Sequence, residues 1–387
     1  MKQVYPREHG GDIFYAARVT GIPVGEIMDF SASINPLGPP PGAIVAARMA
    51  LRMVHHYPEP GAERLADEVA RTLGESLDAG RGLARRIVPG NGSTELIYLL
   101  PRALKPGSVL IHEPAFSEYA RAALISGAKV KTAGNKKLKF SFDFARFAEG
   151  MRGAQMAFLC NPNNPTGEVL SRDTVFELAR EAKKTRCLLV VDEAFIDFCP
   201  GSSVIDEAAM GKNRYLAVLR SMTKFYALTG LRAGYAVLGA ESMAGRVLGF
   251  KEPWSINFPA AEAAIAALRD RGHAGKSLLF MAEERAFVAR RLEKAGIWRS
   301  GGIKAGRVAE GAGGPNFFLV RLPEARKFVK KLFMKGLLVR DCSNFRNLRP
   351  ITREFGEEGF IRFAVRTRRE NGMLLTEMEE WMRRVAF

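Results

Sequence analysis

A lysine and an arginine follow a predicted strand in a pattern suited to phosphate binding and amine chemistry. The segment Ser221-Met-Thr-Lys224 is followed eight residues later by Arg232, in Gly-Leu-Arg-Ala-Gly-Tyr. The Ser221 hydroxyl and the Arg232 guanidinium can grip a phosphate dianion. An amine held among such groups can lose its charge and attack a carbonyl carbon. Taken alone, the segment also fits a serine-containing turn with a surface lysine.

Three further polar segments follow predicted strands. Asp192 ends an apolar run, where open α/β sheets present ligand-binding groups, and an acid there can pair with a protonated heterocyclic nitrogen. Asn164 lies between prolines in the loop Asn-Pro-Asn-Asn-Pro-Thr-Gly. Gly92, Ser93 and Thr94 open a helix whose free N–H groups and hydroxyls form a phosphate cup. Each segment alone fits a cap or a turn, but together they indicate one anionic aromatic ligand.

The elements that must position these residues alternate between short apolar runs and helical segments, which predicts an α/β fold. Near-continuous apolar strands are typical of burial on both faces, and therefore of a mostly parallel seven-stranded sheet flanked by helices. The predicted strands are 86–88, 108–112, 129–132, 157–160, 188–192, 214–219 and 233–238, and the predicted helices are 94–104, 117–126 and 172–184. Beyond residue 256 the pattern changes to a smaller α+β domain. We expect an N-terminal arm at 1–41, a large domain at 42–255 and a small domain at 256–387.

Composition limits the possible partners. The 387 residues are 47% hydrophobic, which excludes disorder as the main state, and 58 Lys and Arg against 41 Asp and Glu give a net charge of +17. This charge suggests nucleic acid, an anionic membrane or a small anion. The N-terminus lacks the apolar region of a secretory signal, and no apolar run is long enough to span a bilayer. The four cysteines include no CxxC pair and no metal-ligand spacing, so we expect no metal and a reducing cytoplasm, with Cys187 as a buried thiol.

Over essentially its whole length the sequence resembles the fold-type I pyridoxal-phosphate enzymes of the aspartate aminotransferase-like superfamily. The resemblance implies that pyridoxal 5′-phosphate is linked to Lys224, that Asp192 faces the pyridine nitrogen and that Asn164 bonds the ring oxygen. It also implies a stacking aromatic at Phe116. The cofactor phosphate would be held by Gly92, Ser93, Thr94, Ser221 and Arg232. Tyr57 matches the tyrosine that reaches the phosphate in the partner's site, which implies a homodimer.

A narrower resemblance leads to the threonine-phosphate decarboxylases of cobalamin biosynthesis. It is carried by the segments 9–11, 29–38, 192–198, 219–226, 253–257 and 339–344. Phe195, where many relatives have tyrosine, is regular in that family. The implied reaction converts L-threonine O-3-phosphate into (R)-1-amino-2-propanol O-2-phosphate and carbon dioxide. The residues then expected to bind the substrate are Arg362 at its carboxylate, Arg340 at its phosphate, and His9, Asn35, Tyr57 and Arg366 as neighbours.

Two other functions stay open. Histidinol-phosphate aminotransferases share the fold and also take a substrate with an amine and a phosphate, although Phe195 and the segment His9-Gly-Gly argue against that assignment. A nucleic-acid-binding protein is supported only by the net charge and a lysine cluster, for which a solvated face is the simpler interpretation. The cluster consists of Lys129, Lys131, Lys136, Lys137 and Lys139. We therefore expect no nucleic-acid and no membrane partner.

Overall fold

The computed structural model describes residues 9–74, 82–134, 141–299, 314–348, 351–353 and 356–385. Three lysines of the basic cluster, Lys136, Lys137 and Lys139, lie outside these described residues, whereas Lys129 and Lys131 belong to an edge strand of the large sheet. Within the described ranges, no helix combines the length and the apolar character that a bilayer crossing requires.

Helices and strands alternate along the first two thirds of the described chain. The helices are α1 (Ile13–Thr20), α2 (Pro41–Ala50), α3 (Glu63–Gly74), α4 (Gly92–Leu104), α5 (Ser117–Ile125), α6 (Phe144–Met151), α7 (Arg172–Thr185), α8 (Ile205–Ala209), α9 (Glu241–Leu248), α10 (Phe258–Arg269), α11 (Arg271–Lys294), α12 (Ala325–Met334) and α13 (Arg368–Val385). The strands are β1 (Met28–Asp29), β2 (Ile87–Gly90), β3 (Ser108–His112), β4 (Lys129–Ala133), β5 (Met156–Cys160), β6 (Leu188–Asp192), β7 (Leu216–Ser221), β8 (Gly234–Leu238), β9 (Phe317–Pro323), β10 (Leu337–Leu338), β11 (Arg340–Asp341), β12 (Ile351–Arg353) and β13 (Gly356–Ala364).

The large sheet has seven strands in the order β2-β8-β7-β6-β5-β3-β4. All pairs are parallel except those made by β8, which runs antiparallel to β2 and to β7. Every residue of the central strands β5 and β6 is buried, and separate apolar clusters cover the two faces of the sheet. The mostly parallel seven-stranded sheet flanked by helices is therefore confirmed, and the continuous apolar runs reflect burial on both faces.

This topology brings the polar segments to one edge of the sheet. The parallel strands β3, β5, β6 and β7 end at His112, Cys160, Asp192 and Ser221, and the loops that follow carry the residues singled out by sequence. Carboxyl ends of parallel strands share an edge, which is where open α/β sheets bind ligands. The edge also receives the amino end of α4, because β2 and α4 are joined by a turn at Asn91.

The C-terminal part forms a smaller α+β unit. Its sheet pairs β13 with β9 on one side and with β11 and β12 on the other, all antiparallel, and α11, α12 and α13 contribute to its apolar core. The N-terminal segment joins this unit through parallel pairing of β1 with β10. Helix α10 instead packs on α2 and α3 in the core of the large unit. We therefore propose a domain boundary near residue 270 rather than at residue 256.

Candidate active site

A cavity of about 1110 Å³ opens at the carboxyl edge of the large sheet, between the two units. It is lined by most of the residues that the sequence singled out. These are His9, Asn35, Ser93, Thr94, Phe116, Asn164, Asp192, Ser221, Lys224, Arg232, Arg340, Arg362 and Arg366. Gly92 lies directly beneath the lining, and Tyr57 lies outside it.

The amino end of α4 and Arg232 form a cradle for an anion. Gly92 has a φ of +75°, which strains any residue with a Cβ atom, and such an atom would lie 2.7 Å from the Arg232 guanidinium and displace it. A Cβ atom on Gly234 would lie only 2.6 Å from the Ser93 amide nitrogen. Because Gly234 has none, the turn can lie close to β8. Ser221 adds a hydroxyl, bonded at 2.7 Å to that of Thr223. Free helix N–H groups, hydroxyls and a guanidinium together fit a phosphate dianion.

Lys224 projects into the cavity from the turn after β7. Burial first, and then the positive charges of Arg362 and Arg232, lower the pKa of its amine from 10.5 to about 8. Opposing effects from Asp29 and Asp192 are smaller. About one tenth of the amine is therefore neutral and nucleophilic at pH 7, far more than for an ordinary lysine, and imine formation with an aldehyde requires this form.

Asp192 is buried at the end of β6 and is held in one orientation. Its Oδ2 accepts a hydrogen bond from the Tyr119 hydroxyl at 2.6 Å, and its Oδ1 accepts one from the Ala194 amide at 3.0 Å. Burial raises the pKa of Asp192 above its usual range, while these two bonds and the charge of Lys224 act in the opposite direction. A protonated ring nitrogen placed against this carboxylate would supply a buried positive partner.

Aromatic and amide groups complete the walls of the site. Phe116 precedes α5 and meets Tyr119 edge to face, with 5.8 Å between ring centroids. Phe195 is buried and packs on Phe317 at 5.0 Å. Asn164 accepts a hydrogen bond from Arg362 at Oδ1, and its amide nitrogen could donate to a bound ring oxygen. With the cradle, the lysine and the carboxylate, these groups fit pyridoxal phosphate.

Two buried arginines lie side by side on strands of the smaller unit, outside the phosphate cradle. Arg340 of β11 and Arg362 of β13 are directly paired across antiparallel strands. Arg362 donates to two neutral acceptors, the Asn164 side chain and the Ser31 carbonyl, and its Nε has no hydrogen-bond partner among the described residues. Burial lowers the pKa of Arg362 to about 10, and Arg340 acts in the same direction. Arg340 also donates to neutral acceptors, the Asp341 carbonyl and the Asn344 side chain, so this pair of guanidiniums could accommodate an anion.

Three predicted site residues are engaged differently. Arg366 bonds Glu370 through Nε at 3.0 Å and through Nη2 at 2.6 Å. Both amide hydrogens of Asn35 are donated inside the protein, to the Phe225 carbonyl at 2.9 Å and to the Ser277 hydroxyl at 2.8 Å. Tyr57 is 78% exposed and does not line the cavity of its own chain.

Sequence reasoning missed two residues that shape the site. Tyr119 orients Asp192 through its hydroxyl. The sequence feature that could have indicated this role is its position one helical turn after Phe116, at the end of the same motif. Thr223 lies beside Lys224 and bonds Ser221, and a second hydroxyl within the Ser-x-Thr-Lys segment was the available signal.

Comparison with known proteins agrees with this geometry. The family model for aminotransferase class I and II matches residues 25–377. A threonine-phosphate decarboxylase from Salmonella typhimurium is 31% identical over 380 residues, covering 98% of this chain and 97% of that protein. A histidinol-phosphate aminotransferase from Methanopyrus kandleri is 32% identical, covering 86% of this chain and 85% of that protein.

Similarity extends to solved structures. The crystal structure of L-threonine-O-3-phosphate decarboxylase from Porphyromonas gingivalis superposes with a TM-score of 0.73 at 25% identity, covering 92% of this chain and 99% of that chain. Fold, site and family match lead to the same assignment. The chain belongs to the aminotransferase class I and II family, and its cofactor is pyridoxal 5′-phosphate.

Proposed function

We propose that the protein is a carboxy-lyase that converts L-threonine O-3-phosphate into (R)-1-amino-2-propanol O-2-phosphate and carbon dioxide. The product would supply the linker between the corrin ring and the nucleotide loop in cobalamin biosynthesis. The observation that supports this proposal is the pairing of Arg340 with Arg362 in the wall of the cavity, where they would form a second anion site beside the phosphate cradle. A substrate with both a phosphate and a carboxylate uses both guanidiniums, and planar bidentate pairing suits arginine better than lysine.

The residues of the chain would act chiefly by orientation. When bound, pyridoxal phosphate accepts the electrons left at the substrate Cα, and the bond that breaks is the one perpendicular to its ring. Arg362 on the carboxylate and Arg340 on the phosphate would fix the substrate at two points and so select which bond has that orientation. Lys224 would hold the cofactor and would act as the base that moves a proton at Cα. Asp192, oriented by Tyr119, would keep the ring nitrogen protonated.

Phe195 supports decarboxylation over transamination. A tyrosine in its place would direct a phenol at the cofactor ring oxygen, whereas Phe195 presents only an apolar ring packed on Phe317. Histidinol-phosphate aminotransferase is the second candidate, because a relative of that name is 32% identical over most of the chain.

Product analysis separates the two candidates. Purified protein loaded with pyridoxal phosphate is incubated with L-threonine O-3-phosphate, and carbon dioxide and the amino-propanol phosphate are measured. We expect stoichiometric release of both, without any 2-oxo acid. Glutamate formation from 2-oxoglutarate and histidinol phosphate, with no carbon dioxide from threonine phosphate, would refute the proposal in favour of the second candidate.

We also propose a homodimer in which Tyr57 reaches the partner's cofactor phosphate. The support is an exposed apolar surface that includes Val45 and Met49 of α2 and continues through Leu51 and Val54 to Tyr57. Large exposed apolar patches of this kind are typical of protein interfaces. Tyr57 packs on Trp254 with 4.8 Å between centroids and 33° between the ring planes, and neither residue lines the cavity of its own chain.

Subunit mixing tests this arrangement. Lys224→Ala removes the lysine of one site, and Tyr57→Ala weakens the site of the neighbouring subunit. In mixed dimers of the two variants, one site retains both residues, so we expect activity to recover to about a quarter of the wild-type value at equal amounts after exchange. A monomer by sedimentation, or no recovery after proven exchange, would contradict the arrangement.

We infer a cytoplasmic location from the thiols. All four cysteines are free and buried, and burial raises the pKa of Cys187 to about 12, so this thiol stays protonated. Such thiols need no oxidising compartment. Cell fractionation with an antibody against the native protein tests the location, and recovery outside the cytoplasmic fraction would overturn it.

A further inference from the structure

Glu118 is a buried carboxylate that the proposed reaction does not use. It lies in the first turn of α5, is 5% exposed, and accepts a hydrogen bond from the Tyr98 hydroxyl. Its other oxygen lies 2.9 Å from His9 Nε2, although 109 residues separate the two in sequence. The bond with His9 is the largest influence on the pKa of Glu118, which is lowered, whereas Glu118 helps to raise the pKa of Tyr98 to about 12. An ionised carboxylate only accepts hydrogen bonds, so the facing His9 nitrogen carries a hydrogen.

The contact with Glu118 brings His9 to the aromatic wall of the active site. The imidazole lies 5.5 Å from the ring of Phe116, with 51° between the ring planes. His9 lines the cavity, and its side chain is half exposed. Glu118 therefore holds the imidazole by one nitrogen, while the ring packs against the residue expected to stack on the cofactor.

The next two residues are fixed to the other side of the cavity. The Gly11 amide donates to the Ser31 hydroxyl at 2.8 Å, and a Cβ atom on Gly10 would lie 2.6 Å from the Ser31 carbonyl oxygen. That carbonyl also accepts a hydrogen bond from Arg362 at 2.7 Å. Residues 9–11 thus bridge α5 of the large unit and the loop that contacts the substrate-facing arginine.

We propose that Glu118 is a positioning residue that holds His9 over Phe116, so that residues 9–11 close the substrate side of the active site. The inference rests on the proposed binding of a phosphorylated amino acid in this cavity. Glu118 also lines the cavity, but its two carboxylate oxygens are engaged by His9 and Tyr98, so we expect it to act through His9. Removing the Glu118 carboxylate should therefore weaken substrate binding, while the groups that carry out the chemical step stay in place.

A double-mutant cycle tests this role in the cofactor-loaded enzyme. Glu118→Ala breaks the contact, Glu118→Gln keeps a hydrogen-bond acceptor without the charge, and His9→Ala removes the group that Glu118 holds. We expect KM for threonine phosphate to rise about 10-fold in Glu118→Ala and less in Glu118→Gln, with kcat within about twofold. In the His9→Ala background, Glu118→Ala should add nothing further. An undiminished effect of Glu118→Ala in that background would overturn the inference.

A second measurement does not depend on turnover. Hydrogen exchange of the peptide containing the Gly11 amide is compared in wild type, Glu118→Gln and Arg121→Gln, with and without pyridoxal phosphate. Arg121 is the matched control, because it lies 3.9 Å from Glu118 on its exposed side. We expect exchange about 10-fold faster in Glu118→Gln and unchanged in Arg121→Gln. Unchanged exchange in Glu118→Gln would refute the positioning role, whereas failure to release carbon dioxide would refute only the proposed reaction.

Discussion

Lys224 should destabilise the protein when the cofactor is absent. Its ammonium lies in a cavity with Arg362 and Arg232 nearby, and burial with these charges lowers its pKa from 10.5 to about 8. The difference between those values corresponds to a penalty of about 3 kcal/mol at neutral pH. We therefore expect Lys224→Met, which has similar volume and no charge, to stabilise the cofactor-free protein by up to this amount.

The two pKa values also fix how the stability difference between wild type and Lys224→Met changes with pH. Below about pH 8 both the folded and the unfolded lysine are charged, and the full penalty applies. Between about pH 8 and 10.5 the unfolded chain binds the proton and the folded protein does not, so wild-type stability rises with pH relative to the variant. The advantage of Lys224→Met should therefore be complete at pH 7 and lost as the pH approaches 10.5.

Thermal unfolding of the cofactor-free proteins measures this effect. For 387 residues the unfolding entropy is about 0.8 kcal/mol per kelvin, so about 3 kcal/mol corresponds to an increase in Tm of about 4 °C. Pyridoxal phosphate should reverse the order, because only wild type forms the covalent link that stabilises the folded state.

Lys251→Met is the matched control. Lys251 is also largely buried and its pKa is also lowered by burial, but its amine donates to the Ser255 hydroxyl and lies 3.9 Å from Glu95. Losing these partners should lower Tm. If cofactor-free Lys224→Met is no more stable than wild type at pH 7, or if its advantage persists at pH 10.5, the electrostatic reasoning is refuted.

Three further predictions follow from buried contacts of the site and its support. Arg362→Lys should reduce kcat/KM for threonine phosphate by about 100-fold, because lysine cannot make the bidentate contact, and a change below threefold would contradict the role. Tyr119→Phe removes the bond to Asp192 and should reduce kcat by about 10-fold with little change in substrate KM; a pure KM effect would argue against it. Arg220→Met leaves the carboxylates of Glu193 and Asp197, which Arg220 contacts at 2.9 and 2.5 Å, without their cation. It should lower the free energy of unfolding in urea by about 3–5 kcal/mol. Unchanged stability would show that these buried carboxylates do not need the charge of Arg220.

Much of the large unit could be predicted because its strands are buried on both faces. The predicted strands 108–112 and 188–192 coincide with β3 and β6, since each is a short apolar run between polar residues. Helix α2 was not predicted, because residues such as Val45 and Met49 lie exposed and its apolar residues do not define one inward face. The Ala-rich segment of α10 was expected to lie beyond the boundary at 256, but its small residues pack on α2 and α3.

The active-site residues were predictable to the extent that they lie on local motifs. Lys224, Asp192 and the turn at Gly92 each follow a predicted strand, and a parallel sheet brings such positions to one edge. The engagement of Asn35 was not predictable, because its partners are a carbonyl and a hydroxyl on other elements. For Arg366, the ion pair with Glu370 spans only four residues and is a local signal, whereas its bond to the Asp29 carbonyl carries none.

By itself, the sequence determined which chemical groups the site contains and that the sheet would gather them, because buried strands and glycine-dependent turns are local properties of the chain. Only the tertiary structure decided which charges remain available to a ligand. It pairs the positions of Arg340 and Arg362 across two strands, and it brings Arg366 to the Asp29 carbonyl of β1. It also places His9 on a carboxylate of α5 that is distant in sequence. Whether a charged group binds a ligand or a neighbour depends on distances of a few ångströms, and those are set by packing rather than by spacing along the chain.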